Sequence, residues 1–453
     1  MPNDDRLYGY HGRSYKMLNE AHAQIGDKIS VRTKRSGREE TVDGLLMPRI
    51  QTGLEDDYVV VKLRTGYNIG IQIDDETQID VTGKGAEPHF TRQHLPRSKV
   101  GLPKVSIMST GGTIVSKIDY RTGAVRSALD AEDLYSVVPE IANLADIDAR
   151  VLCSIFSENI GPKEWSMFAS SIADHITRGV DGVVIAHGTD MLGYTAAALS
   201  FALNDTPVPV VFVGSQRSSD RPSSDAATNL TASTAIAAKA PFAEVVVAMH
   251  DWVSDQRIAI HRATRVRKCH TSRRDAFKSV NSTPLAYYDL IKNSIDINSN
   301  SKEKRRKAEN WSIKPQFDPN VVLLKFHPAM SAGIIDWATA SGCKGIVLEG
   351  SGLGHVGDAL FAAIERAIKD KIVVAMCSQC IWGTVHMNVY STGRDLLRLG
   401  VIPLGDMLSE TALVKMMWAF GNEDNPDAVK KIMLTNMHGE LTDRRTVEVT
   451  GHE

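Results

Sequence analysis

Two stretches of the chain set a threonine beside glycine at the end of an apolar run. They are VSIMSTGGTIVSK (Val105–Lys117), with Thr110 and Thr113, and AHGTDMLGY, with Thr189 and Asp190. A hydroxyl at a strand end, next to glycines that let a small substrate approach the backbone, is a candidate nucleophile. Threonine at such a place is also a common helix cap. The Thr189–Asp190 pair therefore reads three ways: an N-cap for a helix beginning near Tyr194, a base-activated hydroxyl, or a claw for an α-amino group. The glycine-rich turn also invites a phosphate-binding reading, but STGGTIVSK matches neither GxGxxG nor GxxxxGK[ST], and no lysine stands where it reaches a phosphate. A third stretch, HRATRVRKCHTSRRDAFKSVNSTPL, is dense in Arg, Lys and His. A hydroxyl nucleophile needs a base, and a lysine serves when its surroundings shift it toward neutrality from about 10.4. Judged by residue types alone this stretch is a solvated basic face, and nothing in it singles out Lys268.

The elements that must position these residues follow from apolar periodicity. VSIMST, GVVIAHGTD, PVPVVFVGS and EVVVAMHD are β-branched runs without polar alternation, the pattern of parallel strands covered on both faces. Helical stretches lie between them at 194–203 and 226–237, so the region reads as an α/β sheet whose ligand loops follow the strand C-termini. A second, smaller series follows: NVVLLKF, a helix at 332–340, GIVLEGSG, a helix at 358–368, and IVVAMCS. The tail reads as two helices, with Ser409 and Glu410 near the start of the first and Gly421 ending it. Before all this, residues 26–82 alternate in short runs broken by glycine, proline and charge, as a small all-β barrel does. Residues 83–104 read as a linker, and 286–317, with the basic cluster KEKRRK, as a solvated loop joining two α/β domains.

At 453 residues, two to four domains of about 100–200 residues each are expected. Apolar and charged fractions of 43% and 23% fit a soluble globular protein. A formal net charge of -2 supplies no global field for a polyanion or a membrane surface. The polar, acidic start MPNDDRLYGYHG is unlike a secretory signal, and no apolar run approaches the roughly 18 residues of a membrane span, so a cytoplasmic location is expected. Five scattered cysteines make no disulfide framework, and Cys377 and Cys380 read as a packed, reduced pair rather than a metal or redox site.

Together STGGTI, AHGTD, VGSQR and KCHTSRRDAFKSVN resemble the bacterial-type L-asparaginase/glutaminase family, whose signature includes a lysine nine residues before a Phe-Lys-Ser, as Lys268 stands before Phe277. The resemblance implies Thr110 as nucleophile with Tyr120 as its partner, and Thr189, Asp190 and Lys268 as a second hydroxyl, acid and base. It also implies Ser157 and Glu158 as the groups that hold the substrate's α-carboxylate and α-amino ends; Glu158 stands where simple asparaginases tend to carry Asp or Gln. Outside those motifs, GLLMP, GYNIGI, EGSGLGH, SQCIWGTVHMNVYSTGRDLLRLGVIPLGDML and ETALVKMMW resemble the family of D subunits of the archaeal glutamyl-tRNA(Gln) amidotransferase. Free-standing asparaginases lack the N-terminal segment.

The implied fold is α/β: an N-terminal small all-β barrel and linker (1–97), then a two-domain asparaginase-like fold with mostly parallel sheets, divided into 98–315 and 316–453. The implied activity is glutamine hydrolysis that releases ammonia to a partner, the kinase/transamidase E subunit of the amidotransferase, which uses ATP and Mg²⁺ to convert glutamate on tRNA(Gln) to glutamine. The chain itself is expected to hold no metal or cofactor, to meet tRNA(Gln) mainly through that partner, to have no membrane contact, and to form a homodimer core in an α2β2 complex. The alternative is a free-standing L-asparaginase with an added barrel.

Overall fold

The computed structural model of the chain describes residues 5–7, 9–35, 38–49, 57–63, 68–84, 101–111, 116–118, 125–127, 138–217, 224–298 and 311–442. Five strands, β1 (Asp27–Arg35), β2 (Arg38–Leu46), β3 (Tyr58–Lys62), β4 (Asn68–Gln72) and β5 (Gln78–Lys84), form an antiparallel sheet in the order β4-β3-β2-β1-β5. Alternation along the strands puts Ile29, Val31, Val59, Val61 and Ile71 on one face, where Tyr10 and Leu18 of the N-terminal helix region close a small core.

The larger α/β unit opens with β6 (Lys104–Ser109), followed by a short ribbon of β7 (Ser116–Ile118) and β8 (Val125–Ser127). Its sheet adds β9 (Asp146–Val151), β10 (Gly182–Ala186), β12 (Val210–Val213), β13 (Val245–His250), β14 (Arg257–Arg262), β17 (Ala286–Asp289) and β18 (Ser294–Ile297). The order is β18-β17-β14-β13-β12-β10-β6-β9, parallel from β13 to β9 and antiparallel beyond β13. All five residues of β10 are buried because both faces are covered. Val183 and Ile185 pack beside Phe168 and Leu199 of the helices Pro162–Thr177 and Leu192–Ala202, while Val184 and Ala186 pack beside Leu230 and Ile236 of the helix Ala226–Lys239. The chain leaves β6 toward β9 on one side and returns at β10 on the other. This is a topological switch point, so the crevice outside the carboxyl ends of β6 and β10 is where a ligand belongs.

Like the β7–β8 ribbon, two further pairings among the described residues lie outside that sheet: β11 (Leu203–Asn204) with β19 (Ser312–Ile313), and the hairpin of β15 (Val266–Lys268) with β16 (Phe277–Ser279). The C-terminal sheet is parallel in the order β20 (Val321–Lys325), β21 (Gly345–Gly350), β22 (Val373–Ser378), β23 (Ile402–Pro403). One face, with Ile346, Leu348 and Val374, makes its own core. The other, with Val347, Val373 and Ala375, joins through Met416 and Phe420 of the helix Ser409–Asn422 the same cluster that holds Val183 and Ile185. One continuous apolar core therefore couples the two α/β units.

Three details differ from the sequence reading. Residues 286–297 are the edge hairpin β17–β18 of the large sheet rather than loop, with Ala286 and Tyr288 buried; the cluster KEKRRK lies outside the described residues. Gly421 does not end its helix, which runs to Asn422. A Cβ there would stand 2.5 Å from the Gln316 carbonyl oxygen, so the glycine permits close packing of helix on strand-leading backbone. Of the two CxxC thiols, both free, only Cys377 is packed, and Cys380 is exposed. Among the described residues no helix is long and apolar enough to cross a membrane.

Among the described residues two ion pairs are fully buried. Arg265 donates from Nη1 to Asp406 Oδ2 at 2.9 Å and from Nε to the Gly439 carbonyl at 2.6 Å. Lys415 Nζ donates to Glu440 Oε1 at 2.6 Å and to the Thr435 carbonyl at 2.6 Å. Burial pushes the Glu440 carboxyl up, but the Lys415 ammonium and backbone N–H donors hold it net below its usual range. A carboxylate with a depressed folded value contributes stability above its unfolded value and loses it as pH falls through the folded one. Glu440→Gln strands the buried Lys415 charge at a cost of about 3–5 kcal/mol. We predict a clearly lower melting temperature at pH 7, with the gap to wild type narrowing in acid; an unchanged melt at pH 7 would contradict this.

Candidate active site

Register brings the two threonine loops side by side. In the β6–β10 ladder Ser109 pairs with Ala186, so the chain leaves both strands at the same level, toward Thr110 on one and Gly188–Asp190 on the other. Thr110 is fully buried; its N–H donates to the Ala186 carbonyl at 2.9 Å and its Oγ1 to the same oxygen at 3.2 Å. Its own carbonyl accepts from the Ile155 N–H at 3.4 Å and from the Cys153 thiol at 3.3 Å. Gly111 has φ +109°, and a Cβ on it would lie 2.5 Å from the Ile155 carbonyl oxygen. The first glycine of STGGT is thus required both by its left-handed backbone and by the closeness of the 152–156 loop.

Thr189 and Asp190 follow β10, and the hairpin β15–β16 delivers Lys268 to them. Lys268 Nζ donates to Thr189 Oγ1 at 2.8 Å and to Asp190 Oδ1 at 2.7 Å, with the lysine side chain 14% exposed and the aspartate 67% exposed. Of the three readings open to Thr189 and Asp190, what the structure shows is the Thr189 hydroxyl and the Asp190 carboxylate both in contact with one lysine amine. The helix Leu192–Ala202 takes no side-chain cap. His187 locks the loop from beneath: fully buried and held down to about 4 by desolvation, its ring donates from Nδ1 to the Gly188 carbonyl at 2.7 Å. Ser157 is buried against this loop, since a Cβ on Gly188 would come within 2.9 Å of Ser157 Cβ. Glu158 beside it is exposed on the short turn Ser157–Asn159. Tyr120 and Thr113 lie outside the described residues.

The third strand-end loop, VGSQR after β12, is held by residues that the sequence motifs do not single out. Asp225 is fully buried and accepts from Ser215 Oγ at 2.8 Å, Gln216 N–H at 3.1 Å, Arg217 N–H at 3.0 Å and Asn229 Nδ2 at 3.0 Å. Its one signal in the sequence is that Asp225 and Asn229 stand a helical turn apart directly after a strand and loop. Beyond Lys268, Arg267 pairs with Glu410 at 3.0 Å, and Ser409 Oγ donates to the buried Glu349 at 2.5 Å. Glu410 thus joins the two α/β units, while Ser409 ties its own helix to β21 within the smaller one. No group of three or more His, Cys, Asp or Glu that could hold a metal occurs among the described residues.

A buried hydroxyl at one strand end and a half-buried one at the next, the second in contact with a lysine, are groups suited to acyl transfer. Residues 104–303 match the family "Asparaginase, N-terminal", residues 320–433 the "Glutaminase/Asparaginase C-terminal domain", and residues 23–82 the "GatD N-terminal domain". The L-asparaginase of Thermococcus kodakarensis superposes with a TM-score of 0.67 at 33% identity, over 75% of this chain and 100% of that one. L-asparaginase I of Vibrio cholerae gives 0.66 at 26% identity, over 75% and 99%. The fold is that of the asparaginase-type amidohydrolases. The D subunit of the glutamyl-tRNA(Gln) amidotransferase of Metallosphaera sedula is 45% identical over 443 residues, 98% of each chain, and that of Pyrococcus abyssi 46% identical over 94% of this chain and 97% of its own. The chain belongs to the family of glutamyl-tRNA(Gln) amidotransferase D subunits.

Gly111→Ala tests the loop geometry. The substitution forces Thr110 out of its bond to Ala186, so amide exchange at Thr110 should rise well above wild type while the β10 core amides stay protected. Unchanged protection at Thr110 would rule out the close approach to Ile155.

Proposed function

We propose that the chain is the glutaminase component of a tRNA-dependent amidotransferase, an amidohydrolase working within a C–N bond-forming ligase of protein biosynthesis. The observation that carries the reading is the contact of Lys268 Nζ with Thr189 and Asp190 beside Thr110, in a chain whose relatives share its N-terminal sheet as well as its α/β units. The asparaginase structures cover 75% of the chain, and that difference in coverage favours the amidotransferase reading over a free-standing asparaginase.

In this reading Thr110 Oγ1 attacks the side-chain amide carbon of glutamine. To do so the hydroxyl exchanges its bond to the Ala186 carbonyl for a base that takes its proton. The new C–O bond forms as the carbonyl π electrons move to oxygen, and backbone N–H groups of the TGGT and HGTD loops stabilise that oxyanion. Collapse expels the amide nitrogen, protonated, as ammonia, leaving an ester on Thr110. Lys268, Thr189 and Asp190 form the proton relay that activates water for attack on this ester, which releases glutamate and restores the hydroxyl. Tyr120 assists Thr110, and Ser157 and Glu158 hold the α-carboxylate and α-amino groups. Glu158, exposed at the mouth of the site, offers a carboxylate suited to an ammonium group.

Ammonia is the useful product and passes to the E subunit of the amidotransferase, where ATP and Mg²⁺ activate glutamate on tRNA(Gln). This chain uses no cofactor of its own and leaves the tRNA mainly to its partner, in an α2β2 assembly in the cytoplasm built on a homodimer of this chain. The boundaries 1–97, 98–315 and 316–453 divide it into a sheet domain and two α/β domains.

Thr110→Ala, Thr189→Ala and Lys268→Ala, each assayed in the complex, should lower glutaminase turnover by about 10²–10⁴-fold, the usual contribution of a nucleophile or acid–base group. Turnover near wild type in all three would reject the assignment.

A further inference from the structure

We propose that Asp225, Asn229 and His250 form a positioning device for Thr189, transmitted through the backbone of Gly214. This rests on the glutaminase reading above and adds residues that do not touch substrate in it.

Gly214 and Thr189 pack too closely for any side chain between them. A Cβ on Gly214 would lie 2.6 Å from Thr189 Cγ2, so the Gly214 backbone forms the wall against which the Thr189 methyl sits. With its methyl against that wall, the threonine has one well-defined way to present Oγ1 to Lys268 at 2.8 Å. The Gly214 carbonyl in turn accepts from Asn229 Nδ2 at 3.0 Å. Asn229 commits its amide hydrogens to Gly214 and to Asp225, which turns its carbonyl oxygen to His250 Nδ1 at 2.6 Å. Both His250 ring nitrogens face acceptors, because Nε2 lies 2.8 Å from Asp255 Oδ1.

Asp225, Asn229 and His250 are each fully buried. The line of bonds continues beyond them to the surface. Asp255 also accepts from Arg274 Nη1 at 3.1 Å, and Arg274 lies in the turn between β15 and β16, the hairpin that carries Lys268. A single chain of bonds therefore reaches from the wall behind Thr189 to the loop that holds its base. Buried polar groups this well satisfied fix one arrangement, and a catalytic hydroxyl set against a fixed wall needs no reorganisation during turnover.

The test uses the full chain in its amidotransferase complex with glutamine as substrate. Asn229→Asp keeps the acceptor for His250 and the side-chain shape but removes the donor to Gly214. It should lower kcat by about ten- to a hundredfold with KM for glutamine unchanged, the scale expected when a catalytic group is displaced without loss of substrate contacts. Thr189→Ser removes the methyl that meets Gly214 and keeps the hydroxyl; in that background Asn229→Asp should cause little further loss. Full additivity of the two changes, or wild-type kcat in folded Asn229→Asp, overturns the proposal. Should Asn229→Asp fail to fold, Asp255→Ala at the exposed end serves instead: a several-fold fall in kcat at constant KM supports the device, and an unchanged kcat overturns it. An inactive wild-type complex would reject the glutaminase reading itself, a different outcome from active protein with indifferent variants.

Discussion

Everything at the site depends on one lysine being held within 2.8 Å of Thr189 and 2.7 Å of Asp190 by a hairpin that belongs to neither strand end. That hairpin is short, and what fixes it is the C-terminal α/β unit. Arg265, immediately before it, is buried against Asp406 and the Gly439 carbonyl; Arg267 pairs with Glu410; Asn281, immediately after it, exchanges hydrogen bonds with Gly383 at 3.0 and 2.9 Å. The smaller unit therefore holds in place the hairpin from which the larger one presents Lys268. A buried pair such as Arg265–Asp406 adds little net stability but is costly to break, so it fixes a geometry more than it strengthens the fold.

The shared core follows from the same need. Separate units joined by a flexible linker would let Lys268 drift relative to the strand ends, and proton transfer tolerates little drift. Instead Val183 and Ile185 of β10 belong to one apolar cluster with Val347 of β21 and Val373 of β22, bridged by the helix Ser409–Asn422. Apolar burial supplies the cohesion, and the polar contacts at Arg265, Arg267 and Asn281 supply the register.

Much of this is legible in the residues. Unbroken runs such as GVVIA and VVFV announce doubly covered parallel strands, and the glycine–threonine pairs at their ends announce the loops that lie over the switch point. Lys268 is separable from its basic neighbours only through the resemblance to asparaginases, because its partners are 78 and 79 residues away and local sequence carries no mark of them. The hairpin β17–β18 reads as loop because its Asn- and Asp-rich composition fits an edge, where one side of the strand faces water. Asp225, Asn229 and His250 escape a sequence reading for a related reason: a buried histidine and a capping-type aspartate have ordinary structural uses, and only tertiary packing shows them bonded to one another and to Gly214.

In the mechanism we propose, labour at the site divides between two threonines, Thr110 attacking and Thr189 relaying protons with Lys268. Treating the complex with a glutamine analogue that bears a diazoketone in place of the amide, and mapping the covalent adduct by peptide mass spectrometry, separates the two roles. A single adduct on the peptide containing Thr110, lost in Thr110→Ala, is the expected outcome. An adduct on the peptide containing Thr189, or one that persists in Thr110→Ala, would refute the division.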